Sequence, residues 1–491
     1  MSQRARLLTT LLTGAFLVGG CSVLPPPTRP EIQEQTGTVN QLGLERPWRA
    51  AATPAGAVQD DWMAGFGDAQ LDALVAEAVA NNADLRVAAT RVEQATGYVR
   101  LAQAALRPQV NLLGIGGFNS SGGDLSSSLQ GAMLGVSWEI DLWGRLRYAR
   151  NAAQETEASA RADFAFARQS IAANVAKTWF SAAAAGQQKR LAESMVVAAG
   201  ELATLAEQRS KVGIGDDQDV AAARARQGTF RDAALQLGLS ETQTLRALEL
   251  LLGRYPAAEL AARAELPGLP GAVPVGLPLE MLERRPDIVA AERRVAAAFD
   301  RVGEAKAARL PRLALNASIS ALSSDVLELK QDYENPSGGG GLKLIAPIYQ
   351  GGALKTQVQI RTLEQKEAVA DYARMALRAL GDVEQSLAAG GNLSSRAEML
   401  ERVVADNQRS LELATARYRV GKGDLRAVQQ QELALADARL ALVAVRSAQL
   451  AERVNLHLAL GGSFEKPPEP PGESSDASAP AAAPASGTLP R

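Results

Sequence analysis

A strand pattern that passes directly into a very long helical pattern constrains this chain more than any other feature. Between Ala132 and Leu142, apolar side chains occupy every second position, and mostly small or acidic side chains occupy the positions between them. This period of two is typical of a β-strand with one apolar face, and its length suits a strand that crosses a membrane within a barrel. Gly144 breaks the pattern, and residues 145–211 then contain no proline and are rich in helix-forming residues. The sequence therefore predicts a membrane strand followed by one continuous helix.

The same unit occurs twice. Apolar residues alternate again from Leu342 to Ile348, and residues 353–419 form a second proline-free run. Two further pairs match at constant offsets of 203 and 208 residues, Arg107-Pro108 with Leu310-Pro311 and Val212-Gly213 with Val420-Gly421. Offsets that hold on each side of the strands indicate a tandem duplication.

The duplication divides the chain into domains. The first repeat spans residues 61–253 with a β-hairpin at 109–144, and the second repeat spans residues 287–462 with a β-hairpin at 312–352. A connector rich in Pro and Gly, residues 254–286, joins the repeats and would form a belt around the middle of the molecule.

The lengths of the helical runs predict a tube. Each proline-free run has 67 residues, which corresponds to about 100 Å of helix. The shorter helical runs reach a similar length when they are stacked end to end, 71–106 on 217–253 and 284–310 on 424–461. The wall of the tube would therefore alternate continuous helices with stacked half-helices. An ordinary coiled-coil bundle is the alternative, but it leaves the strand attached to each long helix unexplained.

The strands require assembly with further copies. Four strands per chain cannot close a barrel, because the smallest outer-membrane barrels have about eight strands. Open strand edges are not tolerated in lipid. Two copies would supply eight strands and three copies would supply twelve. The predicted fold class is mainly α, with a membrane β-barrel built from four strands of each copy.

The N-terminus has the pattern of a lipoprotein precursor. Residues 1–20 combine two arginines with a short apolar run and predict a signal peptide. They end in Val-Gly-Gly before Cys21, the only cysteine of the chain, so Cys21 is the expected lipidation site. An ordinary secretory signal with an incidental cysteine is the alternative. Residues 21–60 are predicted to form a lipidated, extended linker, and residues 463–491 a disordered tail.

Composition argues against several function classes. A net charge of −2 gives no attraction to nucleic acid, and one cysteine excludes an internal disulfide framework. A single histidine, His457, leaves little for metal or acid–base chemistry. Nucleotide, nucleophile and metal motifs are missing from the sequence, so neither an enzyme nor a cofactor is predicted.

Each long helical run ends in a glycine turn. The two turns are Val212–Asp216 and Val420–Asp424, in which glycine suits a left-handed helix end and aspartate caps the next helix. Two ordinary helix–turn–helix connections would have the same sequence. The helix lengths nevertheless place both turns at the end of the tube remote from the membrane, where they would form its mouth and meet a partner.

Three motifs resemble a known family. They are Trp62 with Phe66-Gly67-Asp68, Trp-Glu-Ile-Asp-Leu-Trp-Gly-Arg-Leu at 138–146, and Arg-Arg-Pro-Asp-Ile at 284–288. Together they resemble the TolC-type outer membrane efflux proteins over residues 61–462, and their NodT-like lipoprotein branch in particular. The resemblance implies a homotrimer with a twelve-stranded barrel and a periplasmic helical tunnel in the bacterial outer membrane. It further implies a passive export duct for small toxic compounds, served by a periplasmic adaptor and an inner-membrane pump of the resistance-nodulation-division type. A type I protein secretion channel and a lipid-tethered periplasmic scaffold are the alternatives.

The resemblance also implies a periplasmic gate. Asp219 and Tyr418 match two partners of a link that closes the family's tunnel. This sequence departs from the family at Gly423, Ala427 and Gln430, where an arginine and two acidic residues are expected. The constriction would then either be looser or be built from nearby charges instead, namely Arg417, Asp424 and Arg426. The adaptor is expected to dock on the turn residues Gly213, Ile214, Gly215, Gly421, Lys422 and Gly423.

Overall fold

The computed structural model describes residues 23–36, 44, 46–50, 56–116, 118–121, 124–127, 130–323 and 336–465. The expected signal peptide, Cys21 and tail residues 466–491 lie outside the described residues. The fold is mainly helical. Its helices are α1 Arg29–Thr36, α2 Ala69–Asn81, α3 Ala83–Ala104, α4 Arg145–Lys211, α5 Asp217–Leu251, α6 Pro278–Arg284, α7 Pro286–Ala307, α8 Ala353–Arg419 and α9 Leu425–Ala459. Its strands are β1 Gln109–Ile115, β2 Phe118–Ser121, β3 Asp124–Ser127, β4 Gln130–Ile140, β5 Arg312–Ser323 and β6 Ser337–Ile345.

The two long helices, α4 and α8, each contain 67 residues and coincide with the proline-free runs of the sequence. Gly144 and Gly352 directly precede them in the left-handed conformation, in the segments that join β4 to α4 and β6 to α8. Both helices have charged and polar residues distributed among many alanines. Within the described part of the chain, no helix has the length and apolar character needed to cross a membrane.

The run 71–106 is interrupted, which differs from the sequence prediction of a single helix, whereas the run 284–310 contains the single helix α7 after a break at Arg285. Asn82 separates α2 from α3, because its side chain accepts hydrogen bonds from Asp84 N–H at 2.9 Å and Leu85 N–H at 3.2 Å and so begins a new helix. Arg285 separates α6 from α7, because Pro286 favours an extended residue before it.

The interruptions are the joints at which half-helices stack. Asn82 Nδ2 donates a hydrogen bond to the Leu251 carbonyl at the end of α5, at 2.9 Å. In the second repeat, Arg285 Nη1 donates to the Ala459 carbonyl at the end of α9, at 3.2 Å. Helices of 22 and 35 residues therefore meet end to end in each repeat, α3 on α5 and α7 on α9. These contacts satisfy carbonyl groups that a helix end otherwise leaves unpaired.

The four-stranded sheet has the order β1-β4-β5-β6, and all of its pairs are antiparallel. Its register places most of the apolar residues of the four strands on one face, in rows such as Leu112, Leu134 and Ile319. The opposite face carries mainly small and polar residues, in rows such as Asn111, Gly135, Ser318 and Gly339, and Leu113, Met133 and Ile345 also lie on it. Strands β2 and β3 form a separate two-stranded ribbon at the tip of the first hairpin.

The core lies at the waist of the molecule, where α2, α4 and the ends of α5 and α9 meet. Trp179 and Phe180 of α4 are fully buried there among alanines, and Phe66 packs against Phe180 with ring centroids 5.0 Å apart. Trp179 Nε1 donates to Asp68 Oδ2 at 2.9 Å, so the buried indole nitrogen has an acceptor. The small alanine side chains allow long helices to approach closely around these few aromatic rings.

The N-terminal segment is not simply an extended linker. Residues 29–36 form α1, and its Ile32 is fully buried against α7 and α8. The Thr28 N–H and hydroxyl both donate to the Glu31 carboxylate, which begins the helix, and Arg29 pairs with Glu292 of α7 at 2.7 Å. Trp48 is also buried and donates to the Val275 carbonyl at 3.1 Å. Two apolar anchors in a polar segment are sufficient to hold it against the helices, although its composition alone predicted an extended linker.

Candidate functional site at the helix tips

The turn between α4 and α5 reverses the chain in five residues. Gly213 adopts the left-handed conformation with φ of +76°. Its N–H donates to the Ser210 carbonyl at 3.0 Å, and Ile214 N–H donates to the Arg209 carbonyl at 3.0 Å. Asp216 then caps α5 by accepting from Gln218 N–H at 3.0 Å. The turn therefore satisfies the last carbonyls of one helix and begins the next helix without a longer loop.

The turn between α8 and α9 repeats this geometry. Gly421 has φ of +75°, Lys422 N–H donates to the Arg417 carbonyl at 2.9 Å, and Asp424 accepts from Arg426 N–H at 3.0 Å. The second glycine of each turn is required by close packing instead of by its φ angle. A Cβ at Gly215 would lie 2.8 Å from Ser210 N, and a Cβ at Gly423 would lie 3.0 Å from Tyr418 N. The two tips are thus built for minimum size.

The tips present apolar side chains at their outer ends. Ile214 is 65% exposed, and Val212 and Val420 are each 69% exposed. Lys422 is exposed at the position equivalent to Ile214. The two tips therefore differ in chemistry, one ending in isoleucine and the other in lysine, although their backbones match.

Tyr418 lies just inside the tips and does not form the expected contact with Asp219. Its ring is almost fully buried in a cluster with Leu202, Ala206 and Leu425. Within the described residues, its hydroxyl has no hydrogen-bond partner. The structure instead places Arg209 over the Tyr418 ring, 4.7 Å from guanidinium carbon to ring centroid, with Nη1 donating to the Tyr418 carbonyl at 3.0 Å.

Arg209 is a site residue that the sequence analysis missed. Its guanidinium joins the end of α4 to the end of α8, because it bonds to the Tyr418 backbone and stacks on the Tyr418 ring. The only sequence signal is its position in the last turn of a helix, where a basic residue favours the helix dipole. That signal does not identify the aromatic partner.

The charged groups of the two tips share one electrostatic environment. Partial burial and the nearby carboxylates of Asp424 and Asp216 raise the pKa of Asp219, and the positive charges of Arg426 and Arg209 oppose the increase. Burial and the Asp219 carboxylate likewise raise the pKa of Tyr418. Asp424 and Arg426 are exposed, as are Ala427 and Gln430. The structure therefore brings Asp219, Tyr418, Asp424 and Arg426 into one neighbourhood without a direct link between Asp219 and Tyr418.

A second functional region lies where β4 passes into α4. The first described residue of the N-terminal segment, Val23, packs so closely that a Cβ at Gly144 would lie 2.8 Å from Val23 Cγ2. Leu24 N–H donates to the Tyr148 hydroxyl at 3.1 Å, and the Tyr148 ring packs on Gly303 of α7. The N-terminal segment is therefore held at the base of the sheet, only two residues after Cys21.

The fold and these two regions define a class of protein in which one chain contributes a sector of a membrane sheet and a sector of a long helical tube. Comparisons with known proteins identify the family. The chain belongs to the outer membrane efflux protein family, which matches residues 74–254 and 277–462. It is therefore an outer membrane component of an efflux system, and its helices extend from the membrane into the periplasm.

Relatives and solved structures agree with this assignment. The chain is 31% identical over 476 residues to the probable efflux pump outer membrane protein TtgC of Pseudomonas putida, covering 93% of this chain and 96% of the relative. It is 30% identical over 477 residues to the pyoverdine export outer membrane protein OpmQ of Pseudomonas aeruginosa, covering 93% and 97%.

Among solved structures, it is similar to CusC, with a TM-score of 0.77, 25% identity and coverage of 90% of this chain and 100% of that chain. The outer-membrane channel OprN gives a TM-score of 0.76 at 25% identity, covering 85% and 99%. The family, fold class, general function and location predicted from the sequence are confirmed.

Proposed function

We propose that three copies of this chain form a passive export duct for small toxic compounds, driven by an inner-membrane pump. The observation that carries the proposal is the four-stranded sheet with unpaired outer edges, joined to helices of 67 residues. Copies must pair at these edges because open strands are not tolerated in lipid. Three copies give twelve strands and a wider barrel, because barrel diameter grows with strand number, whereas eight strands enclose only side chains or one small ligand.

The sheet also supports a wide and unselective channel. Its polar face has glycine or serine at many positions, including Gly135, Ser137, Gly339 and Gly341. Side chains this small leave the interior of a barrel open. Relatives of this chain are named for the export of toluene, antibiotics, pyoverdine and cations. That chemical range suits a duct whose cargo is chosen by the pump.

Channel activity has a direct test. The purified assembly should give stepwise, ohmic currents in a planar lipid bilayer, and ATP should not be needed for them. A lipid-tethered scaffold would give no current. Failure to conduct, with three copies shown by native mass spectrometry, would refute the duct.

The gate is proposed to lie at the tips. Asp219, Tyr418, Asp424 and Arg426 form one electrostatic neighbourhood there. Among the described residues the buried Tyr418 hydroxyl has no hydrogen-bond partner, and a shift of α8 toward α5 would allow that hydroxyl to donate to the Asp219 carboxylate. Asp219→Ala combined with Tyr418→Phe should raise the conductance of the assembly. Glu207→Ala, which removes the exposed Arg224 ion pair instead, is the matched control.

The tips are also the proposed docking site for a periplasmic adaptor, which would connect the duct to a pump of the resistance-nodulation-division type. Exposed apolar side chains at Ile214, Val212 and Val420 suit contact with another helical protein. Cysteine at Ile214 or Lys422 should link to a periplasmic protein through a short cross-linker in whole cells. Cysteine at Ser126, in the first hairpin and at the opposite end of the molecule, should give no such adduct.

Lipidation at Cys21 fits the position of the N-terminal segment. Val23 lies against Gly144, at the end of a membrane strand, so an acyl group two residues earlier would reach the lipid boundary. Cys21→Ser should abolish incorporation of labelled palmitate. Persistent labelling of the variant would exclude this site.

A further inference from the structure

The two repeats match residue for residue. The helix directly before the first hairpin, α3, begins and ends 203 residues before its counterpart α7, and the two helices after that hairpin, α4 and α5, begin and end 208 residues before their counterparts α8 and α9. The strand register follows the same rule. Gln109 pairs with Ser137, and the equivalent residues Arg312 and Ile345 also pair. A contact within one repeat therefore predicts the contact within the other.

The contacts between the two repeats are also known in detail. Strand β4 of the first repeat pairs with β5 of the second, with Trp138 opposite Leu315. One helical contact is an ion pair between Arg294 of α7 and Asp163 of α4, at 2.5 Å. The first repeat thus contributes β4 and α4, and the second repeat contributes β5 and α7.

The outer edges of the chain carry the equivalents of these elements. Strand β6 and helix α8, at one edge, are equivalent to β4 and α4. Strand β1 and helix α3, at the other edge, are equivalent to β5 and α7. Large apolar side chains are exposed on both edges, at Tyr98 (67%) and Leu101 (68%) of α3 and at Leu363 (63%) of α8. Both edges therefore have surface that a further copy would cover.

We propose that neighbouring copies of this chain join through a repetition of the contact between the two repeats, with the same strand register and an ion pair between Arg91 and Asp371. The inference rests on the proposed assembly and specifies its interface. By the offsets, Ala346 is equivalent to Trp138 and Leu112 is equivalent to Leu315. The existing pair Trp138–Leu315 therefore predicts that Ala346 lies opposite Leu112 of the neighbouring copy. By the same offsets, the residue equivalent to Arg294 is Arg91 and the residue equivalent to Asp163 is Asp371. Both equivalent positions therefore carry the same charged residue as in the existing ion pair.

The present partners of these charges agree with the proposal. Within the described part of the chain, Arg91 has no ion pair. Among the described residues Asp371 pairs only with Arg374, one helical turn away at 2.9 Å, and both of those side chains are more than half exposed. An exposed pair of this kind contributes little and leaves the carboxylate able to bind a second guanidinium. Pro347 is equivalent to Glu139 and has no N–H, so the strand contact is expected to end there.

A disulfide tests the register. Paired residues on neighbouring antiparallel strands have Cα atoms about 4.5–5.5 Å apart, which is within the range that a disulfide can bridge. The variant with Leu112→Cys and Ala346→Cys should form oxidised dimers and trimers that reducing agent separates. The variant with Leu112→Cys and Leu342→Cys is four residues out of register, or about 13 Å, and should stay monomeric on the same gel. The in-chain pair Trp138→Cys with Leu315→Cys is the positive control for oxidation.

A charge exchange tests the ion pair. Arg91→Glu and Asp371→Arg should each reduce severalfold the fraction of protein that assembles, because each places like charges together. The double variant should recover most of the assembled fraction. Arg374→Gln should leave assembly unchanged, because it removes only the local partner of Asp371.

The outcomes separate the interface from the proposed function. If copies assemble but the disulfide forms in the variant with Leu112→Cys and Leu342→Cys and not in the variant with Leu112→Cys and Ala346→Cys, the proposed interface is wrong. The proposed duct would be unaffected by that result. A double charge variant that assembles no better than either single variant would overturn the ion pair. The absence of any assembly in native mass spectrometry, for the unmodified chain in detergent and in lipid, would overturn the proposed duct itself.

Discussion

The buried carboxyl group of Asp300 gives the sharpest prediction about stability. Asp300 lies on α7 and is 1% exposed, and neither of its oxygen atoms has a hydrogen-bond partner within the described residues. Burial, with a smaller contribution from the Glu155 carboxylate of α4, raises the pKa of Asp300 to about 7. Glu155 itself pairs with Arg293 at 3.3 Å, and Arg301 donates to Thr156, so these cations are engaged elsewhere in the same interface.

The size of the effect on stability follows from the difference between the Asp300 pKa in the folded state and in the unfolded state. The ordinary pKa of the carboxyl is 3.8, so the folded-state value is about 3 units higher, which corresponds to roughly 4 kcal/mol. Because the folded state binds the proton more tightly, the free energy of unfolding should fall as the pH rises from about 4 to about 7 and should then stay constant. Asp300→Asn imitates the protonated carboxyl at every pH. It should therefore stabilise the protein by up to about 4 kcal/mol at pH 8 and change little at pH 4.

Thermal unfolding of the detergent-solubilised assembly measures this effect. The melting temperature of Asp300→Asn should exceed that of the unmodified protein at pH 8, and the two should converge at pH 4 to 5. Asp163→Asn, which removes a half-exposed carboxylate from the same helix interface, should show no comparable pH dependence. A variant Asp300→Asn that melts at the same or a lower temperature than the unmodified protein at pH 8 would refute the reasoning.

Four further substitutions test individual contacts and backbone conformations. Gly303→Ala would place a Cβ 2.5 Å from the Tyr148 ring, so the ring should move away and lose its hydrogen bond from Leu24 N–H. A protease should then cut the N-terminal segment faster, and unchanged cleavage would contradict this. Glu249→Ala should cost about 1–3 kcal/mol in denaturant unfolding, because the buried carboxylate accepts three backbone N–H groups of residues 258–260. Gly213→Ala should cost about 1–2 kcal/mol because φ is +76°, whereas Gly228→Ala, in an open helical position, should stabilise by roughly 0.5–1 kcal/mol. Equal effects of the two glycine substitutions would show that backbone conformation is not the cause.

The sequence by itself determined the features that depend on local pattern. Proline-free, alanine-rich runs predicted the bounds of α4 and α8, since a helix continues until a residue breaks its backbone hydrogen bonding. Alternation from Ala132 to Leu142 predicted which face of the sheet is apolar. Glycine and aspartate predicted both tips, because a left-handed residue and a helix cap are local requirements.

Tertiary structure alone decided which distant residues meet. The joint at Asn82 interrupts a run that has good helix composition, because its side chain serves the carbonyl end of α5. Arg285 likewise serves the carbonyl end of α9, and in both cases the partner is more than 160 residues away in the chain. Arg209 reaches the ring of Tyr418 only because α4 and α8 end side by side. Burial of Ile32 similarly turned a segment of linker composition into α1. In each case the deciding free energy comes from a contact across the fold, which no local pattern encodes.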